Sequence, residues 1–315
     1  MTKFTIGCDP ELFLIKQDGT PLSAHGAVPG TKKAPKPVAS GAIQVDGMAL
    51  EFNTEPVDLG YHFDTFNRNI NTVIQELKKA VKETKGFKTA RFKIAPVQDF
   101  GQEIMDKTPD EAKELGCDPD YCAYTGEPNP RPDGEVTFRT AGGHIHIGWG
   151  ADIPVEHPDH LEICCDFIKC MDAHVGLYMT IIESDPRRRE LYGKAGAFRP
   201  KSYGVEYRTP SNEWLLTIAH RRSIYDLTDA ARVAMSNFAG SIQKLFQRGY
   251  DVPYKFETQD AFYAFVREVI DTGNKDAAYK LLNNRFGSNI FNTQFLQLSK
   301  NIKKAYVQAS AKKAA

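Results

Sequence analysis

One stretch near the start of the chain alternates apolar and charged side chains. One face of KFTIGCDPELFLI (3–15) carries Ile6, Cys8, Leu12 and Leu14. The opposite face carries Gly7, Asp9, Glu11 and Phe13. A period of two is the period of a β-strand, so the stretch predicts a strand between a core and a polar face.

Residues 41–56 repeat this arrangement within a predicted hairpin. Asp46-Gly47 lies between two alternating runs and is a two-residue turn signal. The second arm directs Glu51 and Glu55 to one face, with apolar residues opposite.

Two later stretches complete the pattern. GGHIHIGWG (142–150) points His144 and His146 the same way, between glycines that leave room for a ligand near the backbone. SYGVEYRTPS (202–211) is a short strand that projects Glu206 and Arg208 to one side.

Carboxylates that gather on one sheet face repel one another unless cations neutralise them. Oxygen ligands with one or two imidazoles and no thiolate suit Mg²⁺ or Mn²⁺. For any single pair of residues, an ordinary solvated sheet face explains the alternation equally well. The two histidines also fit a buried strand whose imidazoles bond to the backbone.

An arginine-rich segment precedes and includes the last of these strands. It contains Arg187, Arg188, Arg189, Arg199 and Arg208. Guanidinium groups bind phosphate oxygens bidentately, and arginines beside a metal site suit phosphoryl transfer. A solvated basic loop is the alternative, and it suits Arg187 and Arg188 well. The phosphate-binding motifs of P-loop and Rossmann proteins are absent from the sequence.

The chain divides into a strand-rich first part and a helix-rich second part. Apolar residues from Phe63 to Val81 recur at helical spacing, and residues 87–97 return to a strand. The polar insertion at 98–134 has the length of a functional loop or lid without clear regular structure. From about Pro154 five stretches have helical periodicity: 156–183, 211–247, 258–272, 274–285 and 293–312. We predict one α+β domain with a helical C-terminal region.

Composition excludes several classes of protein. The 315 residues carry 40 basic and 40 acidic side chains, so no net charge favours nucleic acid or an anionic membrane. No apolar run has the length of a bilayer span, and the first residues do not read as a secretory signal. The 6 cysteines have no disulfide spacing. We therefore expect reduced thiols and a cytoplasmic location. Cys117 and Cys122 alone are a weak zinc motif.

A set of motifs resembles one family in their order along the chain. They are GCDPELF, PGTKKAP, IQVDGMALEFNTEP, GCDPDYCAYTGEPNP, TAGGHIHIGW and YGKAGAFRPKSYGVEYRTPS. In this order they are similar to the phage-type carboxylate–amine ligases, the type 2 amidoligases related to glutamine synthetase and glutamate–cysteine ligase. The resemblance covers roughly residues 4–240. Residues 1–250 would form the catalytic domain and residues 251–315 a helical extension packed on it.

The resemblance implies a fold, cofactors and a reaction. The fold is a curved antiparallel sheet whose concave face binds ATP and Mg²⁺ or Mn²⁺. The reaction activates a carboxylate as an acyl phosphate, which an amine attacks to give an amide or isopeptide bond.

The resemblance also implies roles for individual residues. Metal ligands would be Glu11, Glu51, His144, Glu206 and, more distantly, Asp9. Phosphates would be bound by Arg199, Arg189, Arg208 and, from the lysine-rich loop, Lys33. His146 would face substrate or phosphate, and with Arg208 and Arg189 it would act in catalysis. Glu55 is a further candidate.

Several alternatives remain at this point. A protein of the same fold could transfer phosphate to a guanidino or other nitrogen acceptor, or could be a noncatalytic virion-associated protein. A metal-dependent hydrolase that uses His144 and His146 is a further alternative.

Expected partners are small-molecule or peptide carboxylates and amines, with nucleic acid only if a modified base is the substrate. A homo-oligomer is compatible with the resemblance.

Overall fold

The computed structural model describes residues 4–115, 120–130, 132, 136–149, 154–236, 256, 258–286 and 293–314. Its strands are β1 (Thr5–Ile15), β2 (Pro21–Leu22), β3 (Lys36–Val38), β4 (Gly41–Asp46), β5 (Ala49–Thr54), β6 (Val57–Asp58), β7 (Arg91–Lys93), β8 (Val97–Asp99), β9 (Tyr121–Cys122), β10 (Phe138–Thr140), β11 (Gly143–Gly148), β12 (Ala197–Lys201) and β13 (Gly204–Tyr207).

Its α-helices are α1 (Phe63–Glu83), α2 (Gly101–Lys107), α3 (Asp110–Lys113), α4 (His160–Met171), α5 (Leu177–Ile182), α6 (Arg188–Leu191), α7 (Ile218–Ser236), α8 (Gln259–Asp271), α9 (Lys275–Phe286) and α10 (Thr293–Ala314). A π-helical turn, Asp172–Gly176, joins α4 to α5, and a 3-10 helix, Asn212–Leu216, precedes α7.

A large antiparallel sheet organises these elements. The strand order is β3-β4-β5-β1-β11-β13-β12-β9, with β2, β6 and β7 also paired to β1. The long strand β1 therefore pairs with β5 at its C-terminal half and with β11 at its N-terminal half. A separate two-stranded sheet joins β8 and β10.

The core face of β1 matches the sequence prediction, whereas the opposite face is divided: Asp9 and Glu11 line cavities, and Phe13 is buried in a second hydrophobic cluster. Ile6, Cys8, Leu12 and Leu14 lie in the main hydrophobic core, where α1 packs through the residues Phe66, Ile70, Val73 and Leu77. Each fully buried side chain of this size contributes about 1.5–3 kcal/mol relative to its exposed state. The α+β fold with a large antiparallel sheet is confirmed, and the polar face of the sheet is left to line cavities.

The predicted hairpin is confirmed as β4 and β5, but its two-residue turn is Gly47-Met48, one position later than the predicted Asp46-Gly47. Asp46 pairs with Ala49 across the turn, and Gly47 has a φ of 58°, which glycine adopts without steric cost.

Other elements differ from the sequence prediction. Residues 87–97 contain the short strand β7 and only the first residue of β8, because residues 84–89 turn and Pro96 has no amide hydrogen for a ladder. The described part of the 98–134 insertion has regular structure, namely the end of β8, helices α2 and α3 and strand β9. The segment that contains Arg199 is the strand β12 rather than a loop.

The helices after residue 258 share the core of the sheet-containing part. Tyr263, Val266, Ile270, Leu282 and Ile302 are buried in the same cluster as the residues of β1 and α1. The boundary near residue 250 and the end of the helix expected at 211–247 lie outside the described residues. A division at 250 therefore stays a prediction.

The described cysteines are buried and free: Cys8, Cys122, Cys164, Cys165 and Cys170. Cys117, the other half of the weak zinc motif, lies outside the described residues. Within the described part of the chain, none of the helices combines the length and the apolar character that crossing a membrane requires.

Candidate active site

Neighbouring strands place acidic and imidazole side chains opposite one another on the polar face. In the ladder between β1 and β11, Asp9 lies opposite His144. In the ladder between β11 and β13, His146 lies opposite Glu206. Residues at directly opposite positions of an antiparallel pair have Cβ atoms only about 4.5–5.5 Å apart. The sheet register therefore gathers residues that are far apart in the sequence.

Asp9, His146 and Glu206 form a group that fits a metal ion. Their ligand atoms lie within 4.8 Å of one another. His146 Nε2 is 2.9 Å from Asp9 Oδ2. Asp9 Oδ1 and His146 Nε2 are buried, yet neither completes a hydrogen bond of ordinary geometry. Two carboxylates and an imidazole with unsatisfied buried atoms suit a divalent cation such as Mg²⁺ or Mn²⁺.

His144 lies at the edge of this group. Its Nδ1 is 3.3 Å from Asp9 Oδ1 and 3.6 Å from Glu206 Oε1. The sequence interpretation gave the metal to His144 and the substrate or phosphate to His146. The structure groups His146 with Asp9 and Glu206 and places His144 beside the same two carboxylates, so both histidines face the candidate metal position and the choice of ligand stays a prediction.

Glu11 and Glu51 form a second acidic pair, at opposite positions of β1 and β5. Glu11 accepts a hydrogen bond from the Gly142 amide (2.7 Å), and Glu51 accepts one from Gln44 Nε2 (2.6 Å). Burial, together with the neighbouring carboxylates Asp9 and Asp46, raises the pKa of Glu51 well above its ordinary value. Burial also raises the pKa of Glu11. A pair of carboxyl groups this close ionises fully only when a cation neutralises it.

Glu206 is surrounded by cationic side chains. Lys201 Nζ is 2.7 Å from one of its oxygens and Arg199 Nη1 is 3.4 Å from the same oxygen, while Arg208 contacts the other. Burial acts to raise the pKa of Glu206, but Arg208 and the two histidines outweigh it and hold that pKa well below its usual range. Glu206 is therefore an anion that joins the acidic group to a cationic cluster.

The arginines at 187–189 have three different environments. Arg187 is exposed and pairs with Asp185 at 2.6 Å. Arg188 is 1% exposed and faces the sheet, where its donors reach the carbonyl oxygens of Ala141, Arg208 and Thr209. Arg189, which the resemblance assigns to phosphate, is buried in an ion pair with Glu183 and lines neither cavity of the site. Successive residues of α6 point about 100° apart, so three consecutive arginines cannot face one cavity.

The lysine-rich loop reaches the cavities through Lys32, and the assignment of Lys33 to phosphate stays a prediction. Lys33 is exposed and does not line the cavities, whereas Lys32 lines both and pairs with Asp46 at 2.8 Å. Glu55 is exposed beyond the end of β5 and lines neither cavity. Lys201 and Asp120 are candidate site residues that the sequence analysis does not name, and Arg188 is one that it explains as a solvated loop residue. For Lys201, the alternation that identifies Arg199 also places it on the same face.

Two adjoining cavities lie on this polar face, of about 620 and 320 Å³. The larger contains Asp9, His146, Glu51 and Glu206, and the smaller extends under the insertion and α6. The residues that line both cavities are Glu11, Lys32, Asp46, His144, Arg199 and Arg208. The charged groups therefore stand where two ligand chambers meet.

Asp120, from the insertion, reaches this junction. Its Oδ2 is 3.3 Å from Arg208 Nε, and its Oδ1 accepts a hydrogen bond from Asn129 at 3.1 Å. The insertion thus closes one side of the smaller cavity and holds one face of the Arg208 guanidinium.

Residues 135–306, more than half of the chain, match a family described as "Phage phiEco32-like COOH.NH2 ligase-type 2". The chain belongs to this ligase family. The resemblance seen in the ordered motifs is thereby confirmed, and the candidate site of this carboxylate–amine ligase family member is the charged group on the polar face of its sheet. No curated protein matches the chain.

Solved structures resemble this ligase family member at low sequence identity. One is a "novel glutamine synthase homolog", with 11% identity, a TM-score of 0.39, and coverage of 96% of this chain and 67% of that one. Another is a bifunctional glutathione synthetase from Pasteurella multocida, with 10% identity, a TM-score of 0.37, and coverage of 98% and 52%, so the chain spans about half of that enzyme. A third is GmaS in a complex with ADP, with 12% identity, a TM-score of 0.39, and coverage of 98% and 70%.

Proposed function

We propose that this protein is an ATP-dependent ligase that activates a carboxylate as an acyl phosphate and joins it to an amine. The observation that carries the proposal is that Glu206 belongs to the candidate metal group and also contacts Lys201, Arg199 and Arg208. A transferring phosphoryl group needs its charge neutralised from several sides, and a shared metal and guanidinium site supplies this.

The chemistry explains why phosphate is required. A free carboxylate is a poor electrophile, because an attacking amine would have to expel oxide. In the proposed reaction a carboxylate oxygen attacks the γ-phosphorus of ATP, the bond to the β,γ-bridging oxygen breaks, and ADP leaves. The amine nitrogen then attacks the acyl carbon, phosphate leaves with the bonding electrons, and the nitrogen loses a proton.

The chain's own residues divide this work between the two cavities. Asp9, His146 and Glu206 would hold a divalent cation, which neutralises phosphate oxygens when bound, and Glu11 and Glu51 are proposed as ligands of a second cation. We assign the nucleotide to the larger cavity, which contains these carboxylates, and the carboxylate and amine to the smaller one. Arg199 and Arg208 line both cavities and would bind the γ-phosphoryl group as it crosses.

The smaller cavity is suited to protecting an acyl phosphate from water. Asp120 and Asn129 of the insertion and Arg188 of α6 line it. Excluding water prevents hydrolysis of a reactive intermediate, which is the task that a lid performs in many enzymes.

A phosphotransferase of the same fold is the second candidate, because the same residues would neutralise a phosphoryl group passing to a nitrogen acceptor. The two functions differ in product. A ligase releases ADP and phosphate in equal amounts with a new amide, whereas a phosphotransferase releases ADP and keeps the phosphate on the acceptor. Mass spectrometry of the product with arrays of carboxylates and amines distinguishes them.

The site assignment is tested by Glu206→Gln. We expect ADP release in the presence of Mg²⁺ and ATP to fall by about 100- to 1,000-fold. Glu206 is both a proposed metal ligand and the anion at the centre of the cationic cluster, and the substitution removes its charge. Glu55→Gln is the matched control, since Glu55 is exposed and outside the cavities. Equal turnover by wild type and Glu206→Gln would overturn the site.

A further inference from the structure

Residues 183–196 form a wall of the smaller cavity and also contact the C-terminal helices. Arg188, Leu191, Tyr192, Gly193 and Lys194 line the cavity. The opposite side of this segment faces α8 and α9, to which the ligase chemistry gives no role.

Lys275, at the start of α9, holds the beginning of the segment. Its Nζ donates to the carbonyl oxygens of Ile181 (3.1 Å) and Glu183 (2.7 Å). These carbonyls lie at the C-terminal end of α5, where the last turn has no intrahelical donors and the helix dipole favours a cation. Lys275 therefore fixes the point at which the chain leaves α5.

Asp271, at the end of α8, holds the other end of the segment. Its Oδ1 accepts a hydrogen bond of 2.8 Å from the amide of Ala195. The next amide, that of Gly196, donates to the buried Asp172 at 2.6 Å. Two side chains of the C-terminal helices thus bracket the segment at 181–183 and at 195.

Within the segment, a buried ion pair turns Arg188 and Arg189 in opposite directions. Arg189 pairs with Glu183, and both side chains are less than 10% exposed. Arg188, the preceding residue, consequently faces the cavity, where it donates to the carbonyl oxygen of Arg208 (3.1 Å) and to that of Thr209 (2.7 Å). Gly193 leaves the space that Arg188 occupies, since a Cβ there would lie 1.6 Å from Arg188 Nη1.

We propose that Lys275 and Asp271 are positioning residues for the reaction: they hold the 183–196 wall so that Arg188 fixes the backbone of Arg208 at the phosphoryl position. The expected effect on turnover rests on the proposed function. The positioning of the 183–196 segment by Lys275 and Asp271 does not depend on that function. The C-terminal helices are on this view a working part of the site rather than an appended bundle.

The test compares Lys275→Met with Lys275→Arg and with Lys280→Met in the full-length protein. Lys280 is an exposed lysine on the same helix and serves as the control. For Lys275→Met we expect kcat for ADP release to fall by about 10- to 100-fold, the loss that a small misplacement of a reacting group produces. KM for ATP stays within about threefold, because the nucleotide lies in the other cavity. Lys275→Arg restores kcat, and Lys280→Met behaves as wild type.

Hydrogen exchange provides a readout that does not depend on turnover. In Lys275→Met, amides of residues 183–196 should exchange about tenfold faster than in wild type, while β11 and β13 keep their protection. Asp271→Ala should likewise speed exchange of the Ala195 amide. The Asp271 side chain is partly exposed (32%), so this variant is the safer one if Lys275→Met does not fold.

If the wild-type protein releases no ADP, the proposed function fails, but hydrogen exchange still tests whether Lys275 and Asp271 position the segment. Unchanged exchange, or faster exchange with wild-type kcat in an active enzyme, would overturn the inference.

Discussion

His146 and His144 are two residues apart on β11, yet their surroundings differ. His146 Nε2 faces Asp9, and its Nδ1 contacts the hydroxyl of Tyr203, which fixes the ring. Burial lowers the pKa of His146, but Asp9 outweighs it and raises that pKa above its ordinary value. A cation in the group competes with this proton, because a metal-bound imidazole must be neutral.

His146→Ala should weaken Mg²⁺ or Mn²⁺ binding by about 10- to 100-fold. Loss of a residue that only hydrogen-bonds to a metal ligand already has an effect of this size. Calorimetric titration with the metal alone measures it. His157→Ala is the control, because His157 is nearly half exposed (46%) and lies outside both cavities. Weaker binding in His144→Ala but not in His146→Ala would support His144 as the metal ligand, as the resemblance implies.

At the scale of elements, the π-helical turn between α4 and α5 carries a buried carboxylate with several donors. Asp172 accepts hydrogen bonds from the Tyr207 hydroxyl (2.6 Å), the Gly196 amide (2.6 Å) and the Tyr124 hydroxyl (3.0 Å). It therefore joins this turn to β13, to the start of β12 and to the insertion. π-Helical turns are rare and are often found near functional sites.

Asp172 should give the protein a defined pH dependence. Burial raises the pKa of Asp172 from 3.8 to about 7, against the hydrogen bonds that lower it. Because the folded-state pKa is the higher one, the stability that this group contributes is complete below about pH 4. It is lost as the pH rises through about 7.

Asp172→Asn should lack this slope and should be less stable by about 1–3 kcal/mol, because an amide cannot accept from all the donors. Urea unfolding of both proteins between about pH 4 and about pH 8 measures the difference. Parallel pH curves for wild type and variant would contradict the assignment.

At the scale of the whole molecule, the sheet and the C-terminal helices share one hydrophobic core. Ile270 of α8 is fully buried, and a Cβ built on Gly176 of the π-helical turn would lie 2.7 Å from Ile270 Cδ1. The two parts of the chain therefore pack closely at this point.

Ile270→Ala should lower the free energy of unfolding by about 2–5 kcal/mol and keep a single transition by calorimetry and circular dichroism. Val307→Ala, on the exposed face of α10 (57% exposed), should change it by less than about 0.5 kcal/mol. Two separate transitions would show that the C-terminal helices unfold as a unit of their own.

The sequence predicts the faces of the strands, the hairpin of β4 and β5 and the helix from Phe63, because these depend on local periods and on one turn signal. It also identified Asp9, Glu11, Glu51, Glu206 and Arg208 as residues of one polar face. The order of its motifs was enough to recognise the family.

Which of these residues meet depends on how distant segments pair, and local periods do not predict it. Whether His144 or His146 joins Asp9 and Glu206 depends on the register of three strands from distant parts of the chain. Whether Arg188 or Arg189 lines the smaller cavity depends on the position of the segment 183–196. Side chains of α8 and α9 contact that segment on the side away from the cavity. Local periodicity assigns a side chain to a face, but pairing register and packing between distant elements fix its neighbours, and the chemistry of the site depends on those neighbours.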